Sequence, residues 1–137
     1  MPRYIGLDIG SKKTGIAITD LMGLFARDLK TVFTNDLNAQ LKKIIKDNSD
    51  LAGLVIGLPK SKSGEAEAKI KDFSKKLEAE FNLPIYFEDE RLTSWDAREI
   101  LREQGYNSAK VKELEDQIAA KLILQAYLNS IHRTLLE

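Results

Sequence analysis

The stretch Arg3-Tyr-Ile-Gly-Leu-Asp-Ile9, followed by the polar turn Gly10-Ser-Lys-Lys13 and by Gly15-Ile-Ala-Ile-Thr19, decides the fold. In the first run Ile5, Leu7 and Ile9 alternate with Tyr4, Gly6 and Asp8, the period of a β-strand with one strongly apolar face. The second run alternates too, so the two predict a hairpin, and residues 24–32 predict a third strand. Further out, Leu37, Leu41, Ile44 and Ile45 after Asn35 recur at helical spacing. Residues 52–58 are apolar throughout, as in a strand buried on both faces, and Pro59 ends it. A second helix carries Ala66, Ile70, Phe73, Leu77 and Phe81, and residues 84–88 form another strand. Thr93 stands three residues before Asp96, a capping box opening a helix with Ala97, Ile100 and Leu101 that ends at Gly105. Ser108 caps a last helix with Leu114, Ile118, Leu122 and Ala126 as apolar residues. The order β-β-β-α-β-α-β-α-α predicts an α/β fold, a mixed sheet with helices packed on it.

Composition narrows the chemistry. The chain has 137 residues, with 21 Lys and Arg against 21 Asp and Glu, one His and no Cys. No linker or repeat interrupts it, so residues 1–137 are expected to form one domain. The missing Cys excludes disulfides and cysteine-ligated zinc, and the lone His132 leaves a Ser-His-Asp triad without a well-placed base. No apolar run approaches a membrane span and the first residues are no signal peptide, so the expected location is cytoplasmic. With zero formal net charge, any nucleic-acid binding must come from local clustering of cations.

Three acidic positions carry the chemical interest. Asp8 lies between Gly6 and Gly10, on the strand face opposite Ile5, Leu7 and Ile9. A carboxylate there is either a turn cap or a group that is paired, metal-bound or protonated, because burying it alone costs several kcal/mol. Glu88-Asp89-Glu90-Arg91 ends the last strand, where α/β sheets bind ligands, although such a run also reads as a solvated charged edge. Alternation turns Asp89 away from Glu88 and Glu90. Asp116 has Ala120 and Ile123 as its i+4 and i+7 neighbours, placing it on the margin of the last helix's buried stripe. An acid early in a helix also simply suits the macrodipole. Taken together, strand-one, strand-end and helix carboxylates suggest an all-oxygen site for Mg²⁺ or Mn²⁺. Two such ions about 3.5–4 Å apart activate a water and stabilise the leaving oxygen of a phosphodiester without a protein nucleophile.

Four segments resemble the YqgF family, resolvase-like nucleases of pre-16S rRNA maturation: Ile5-Gly-Leu-Asp8-Ile-Gly-Ser-Lys-Lys-Thr-Gly15-Ile-Ala-Ile-Thr-Asp20, Val55-Ile-Gly-Leu-Pro59, Asp89-Glu90-Arg91-Leu92-Thr93 and Asp116-Gln-Ile-Ala-Ala-Lys-Leu-Ile-Leu-Gln125. They span nearly the whole chain in order. The resemblance implies a ribonuclease H-like fold and puts the family's catalytic and metal-holding acids on Asp8, Glu90 and Asp116. Asp89 and Glu90 sit side by side and could exchange roles. The loop after Pro59 departs from the family pattern, reading Lys-Ser-Lys-Ser-Gly where a Met before the Gly is common.

Lys12, Lys13, Lys60, Lys62 and Arg91 adjoin the acid-bearing segments, as do Lys110 and Lys112 before Asp116. They form a candidate phosphate-binding rim, whereas Lys42, Lys43, Lys46, Lys69, Lys71, Lys75 and Lys76 belong to polar helix faces. Trp95 and Tyr106 can stack on a base or pack at helix ends, and His132 reads as a surface or packing residue. The leading expectation is a metal-dependent endonuclease acting on RNA, with a branched-DNA resolvase as the alternative substrate reading. Two other classes compete. Asp8-Ile-Gly-Ser-Lys-Lys-Thr-Gly15 also resembles the phosphate loop of actin-like and sugar-kinase lobes, and a non-catalytic nucleic-acid-binding module would keep the fold without turnover.

Overall fold

The computed structural model describes residues 2–60, 62–89 and 93–136, without the side chains of 93–96 and 134–136. Its elements are β1 (Arg3–Ile9), β2 (Lys13–Thr19), β3 (Ala26–Phe33), a 3-10 turn (Thr34–Asp36), α1 (Leu37–Asp47), β4 (Leu51–Leu58), α2 (Glu65–Phe81), β5 (Ile85–Asp89), α3 (Thr93–Glu103) and α4 (Ser108–Leu136). The order matches the expected β-β-β-α-β-α-β-α-α. One sheet runs β3-β2-β1-β4-β5, antiparallel through the first three strands and parallel from β1 to β4 to β5. Along β3 one residue is extra: Asp28 pairs with Ala17 and Lys30 with Ile16, leaving Leu29 as a bulge.

Alternation assigns the two faces. Ile5, Leu7, Ile16, Ile18, Leu54 and Ile56 form one core with Leu37, Leu41 and Ile44 of α1 and Leu77 of α2. The other face presents smaller residues, and Tyr4, Ala17, Ala26 and Val55 pack there against Ala120, Ile123, Leu124 and Leu128 of α4. The apolar residues of α4 divide between two neighbours. Ile118, with Leu114 and Leu122 beside it, faces Ala97 and Leu101 of α3 rather than the sheet, and Ala126 is exposed. A helix of 29 residues, about 44 Å long, meets two partners along its length, so one stripe cannot describe it.

The end of the sheet away from Asp8 is tied by Arg3, only 6% exposed. Its Nε donates to the Thr19 and Asp20 carbonyls at 3.1 and 3.0 Å, and its Nη1 reaches Asn48 Oδ1 at 3.1 Å and Asp50 Oδ1 at 3.0 Å. A buried guanidinium is tolerated because its donors are matched. Among the described residues no helix is long and apolar enough to cross a membrane.

Candidate active site

Asp8 stands next to last in β1, and its antiparallel partner on β2 is Gly15. Directly paired residues share a face of the sheet. That face is the one α4 covers, because Tyr4 and Ala17 lie on the same alternation as Asp8 and Gly15 and pack against α4. The backbone of α4 at Asp116 fills the space a side chain would take at Gly15. A Cβ there would overlap the Asp116 carbonyl and stand 2.7 Å from the Gln117 nitrogen. Gly6 permits the same approach one row back, where a Cβ would stand 2.7 Å from Leu124 Cβ and 2.9 Å from the Ala120 carbonyl. The stripe of α4 that buries Ala120 and Ile123 therefore continues one turn to Asp116, over the strand pair bearing Asp8. The first strand's acid and the last helix's acid lie on one flank.

Both carboxylates are partly buried. Burial, and secondly the adjacent Glu115 carboxylate, raise the Asp116 carboxyl above its usual range, against which the Lys13 ammonium acts. Glu115 is itself held by Arg98 Nε at 3.1 Å, which ties α3 to α4 beside the site.

Glu90 and Arg91 lie outside the described residues, as does the side chain of Trp95. Asp89 pairs with Leu58 and faces away from α4, as alternation predicts. Glu88 was named in the sequence as part of the acidic run but not chosen as a site residue. It pairs with Gly57, and Tyr86 before it pairs with Val55 of the α4-facing core, so Glu88 shares the flank of Asp8. Leu7 pairs with Ile56, which makes Gly57 the next residue of β4 beside Asp8, and Gly57 interposes no side chain. The available signal was the period: Tyr86 and Glu88 alternate in step with Tyr4, Gly6 and Asp8. Burial first, and Asp89 second, push the Glu88 carboxyl up. Tyr127 of α4 sits close by, its hydroxyl pushed up to about 12 by burial, then by Tyr4, Tyr86 and Glu88. Among the described residues no three Asp, Glu or His side chains gather closely enough to hold a metal ion. Asp8 and Asp116 bring carboxylates to the same face of the sheet.

The cations divide. Lys12 and Lys13 are exposed on the β1–β2 turn, which is pinned: the Gly10 N–H donates to the Lys13 carbonyl at 3.0 Å, the Thr34 N–H to Lys12 at 2.8 Å, and Thr34 Oγ1 to Gly10 at 2.7 Å. Lys60 and Lys62 are exposed beyond the C-terminal end of β4, and since β4 runs parallel to β1 they share the end of the sheet that bears Asp8. Lys110 turns to Glu113 at 3.4 Å, and Lys112 is exposed. Tyr106 lines a separate hollow between α3 and α4 with Lys110 and Lys121. His132 lies 16 residues beyond Asp116, about 24 Å along the helix, which removes it as a base for this site.

Residues 2–130 match the family model described as RuvX, Holliday junction resolvase. A protein of Lactobacillus acidophilus named "Putative pre-16S rRNA nuclease" is 42% identical, with 96% of this chain and 98% of that one covered. Relatives of the same name from Ligilactobacillus salivarius and Moorella thermoacetica are each 37% identical; the first match covers 100% of this chain and 99% of the relative, the second 94% and 96%. Among solved structures, fowlpox virus resolvase with Holliday junction DNA aligns with a TM-score of 0.54 at 15% identity, covering 94% of this chain and 98% of that one. Thermus thermophilus RuvC with a Holliday junction substrate aligns at 0.53 and 13%, covering 90% and 92%. At such identities the likeness speaks for the ribonuclease H-like fold alone.

Proposed function

The chain belongs to the RuvX family, and from that premise we propose that it is a nuclease hydrolysing phosphodiester bonds in RNA, acting in the processing of pre-16S rRNA. The observation that carries this reading is the contact of α4 at Asp116 with Gly15, the cross-strand partner of Asp8. It places two acids from distant parts of the chain on one flank of the sheet.

The donor set fits Mg²⁺ or Mn²⁺, since carboxylate oxygens on a face without Cys or a nearby His suit hard divalent cations. Asp8 and Asp116 would hold the metal with Glu90, the third acid implied by the resemblance. Bound divalent cations supply Lewis acidity, drawing charge from the phosphate and easing deprotonation of the attacking water. Partial burial of Asp8 and Asp116 keeps them out of bulk solvent, which strengthens their hold on a cation. Lys13 offsets negative charge beside Asp116, while Lys12, Lys60, Lys62 and Arg91 receive flanking phosphates. Water adds to phosphorus opposite the 3′-oxygen, and the products are a 3′-hydroxyl and a 5′-phosphate. Residues 1–137 act as one nuclease domain.

The resolvase description of the family model favours branched DNA as a second substrate. The test incubates the purified chain with Mg²⁺ and either RNA spanning the 5′ flank of 16S rRNA or a four-way DNA junction. RNA cleavage that Asp8→Asn abolishes supports the proposal. Cleavage of the junction alone moves the substrate to DNA, and undiminished cleavage by Asp8→Asn refutes the site.

A further inference from the structure

A cleft of about 570 Å³ wraps around the edge strand β3 near the first half of α4, lined on the α4 side by Lys13, Thr31, Phe33, Leu114 and Gln117 and on the α1 side by residues that include Lys30 and Gln40. Its volume lies within the roughly 300–1,000 Å³ of small-ligand sites. Phe33 is an aromatic ring left 63% exposed on an edge strand, a placement that core packing does not explain. Phe33 pairs directly with Lys13, and Thr31 pairs with Gly15, so ring, ammonium and Asp8 share the α4-facing flank. From strand spacing and rise, the Cα positions of Phe33 and Asp8 stand roughly 12 Å apart, two strands across and one alternation along.

The rest of the cleft mixes balanced charges and amide groups with the apolar Val32 and Leu114. Lys30 is steadied by Gln40 Oε1 at 2.6 Å, and Gln117 bridges Asp28 Oδ2 at 3.0 Å and Thr31. Two carboxylates, Asp36 and Glu113, also line it, the second partnered by Lys110. On the α4 side, one ammonium group, one carboxylate already partnered, the Gln117 amide, Leu114 and one bare ring make no track for a polyanion. That side suits a flat, neutral, hydrogen-bonding group that carries a single phosphate. The hydrogen bonds from Thr34 to the β1–β2 turn hold the ring beside the lysine turn before any ligand arrives.

We propose that this cleft is a subsite for one unpaired nucleoside adjoining the scissile linkage, its base stacked on Phe33 and its phosphate held by Lys13. The inference rests on the nuclease reading above and adds to it a preference for single-stranded over paired substrate. A paired base has both faces covered by its neighbours in the stack and its edge occupied, so only an unpaired one can meet both the ring and the Gln117 amide.

The test measures binding of a short RNA carrying 2-aminopurine, with Ca²⁺ in place of Mg²⁺, to wild type, Phe33→Ala and Phe33→Tyr. In parallel it measures Mg²⁺-dependent hydrolysis of bis(p-nitrophenyl) phosphate, a probe too small to span both places. Phe33→Ala is expected to weaken RNA binding about tenfold and abolish the stacking quench, with Phe33→Tyr close to wild type and hydrolysis of the small probe unchanged. Equal affinity and quench for Phe33→Ala, or equal affinity of the wild type for the same sequence as a duplex, overturns the subsite and leaves the nuclease reading intact. Wild-type binding and quench without hydrolysis of either RNA or probe overturns the nuclease reading and leaves the base-binding cleft. Absence of wild-type binding overturns the subsite.

Discussion

Gly15→Ala separates the geometry of the two acids from the stability of the fold. The added methyl would overlap the Asp116 carbonyl, and van der Waals contact requires the helix to lift from β2 by on the order of 1–2 Å. Overpacking of this kind costs about 1–3 kcal/mol, which for a chain of this size lowers Tm by roughly 3–12 °C and leaves a folded population at 25 °C. The shift falls at Asp116, and a displacement of about 1 Å in a catalytic group is enough for a loss of about 100-fold in rate. Gly6→Ala is the matched control. Its methyl meets Leu124 Cβ at 2.7 Å and the Ala120 carbonyl at 2.9 Å, so it strains the same helix one turn further from Asp116. The two variants are expected to lose comparable stability in thermal melts followed by circular dichroism, while kcat on an RNA substrate falls far more for Gly15→Ala. Wild-type kcat in a folded Gly15→Ala protein would refute the claim that this contact sets the site.

Asp116→Asn removes a carboxylate whose ionised form is disfavoured by burial and by Glu115. A folded-state pKa above the ordinary 3.8 means that the carboxyl's favourable contribution is complete below 3.8 and is lost as pH rises through the raised value. The variant is therefore expected to be inactive yet to melt above wild type at neutral pH, with the difference vanishing in acid; an equal or lower Tm at pH 7 contradicts this. Arg3→Met strips the donors from the buried Thr19 carbonyl and is expected to cost about 1–3 kcal/mol in urea unfolding. Its kcat should remain at wild-type level, because Arg3 sits roughly 17 Å along β1 from Asp8, and a fall in kcat without loss of stability would show coupling that the fold does not explain.

The strands and the helix order were legible because each depends on a local period: Ile5, Leu7 and Ile9 on one side, or the unbroken apolar run of β4. The flank occupied by Asp8 was legible for the same reason. What brings Asp116 to it was not, because Gly15 reads in sequence only as a small residue in an alternating strand, and its meaning is set by a helix about a hundred residues away. The two faces of α4 were hidden by the expectation of a single stripe, since Ile118 and Ala120 answer to different neighbours. Glu88 was obscured by its acidic neighbours, which made the run read as a charged edge, although its pairing with Gly57 opens it toward the flank of Asp8. The Phe33 cleft depends on pairings across three strands and on the position of α4, none of which a local pattern records.

The extra residue at Leu29 has one more consequence. Side chains along a strand obey odd and even parity, and inserting one residue inverts it from that point onward. Ahead of the insertion the even positions Ala26 and Asp28 look toward α4; beyond it the odd positions Thr31 and Phe33 do. Excising Leu29 would join Asp28 directly to Lys30 in an uninterrupted ladder and, because Thr31 stays opposite Gly15 and Phe33 opposite Lys13, would leave the phenyl ring on the α4-facing side. The supernumerary residue thus bends and twists the edge strand ahead of the aromatic group, while the side that group serves is dictated by its partner on β2.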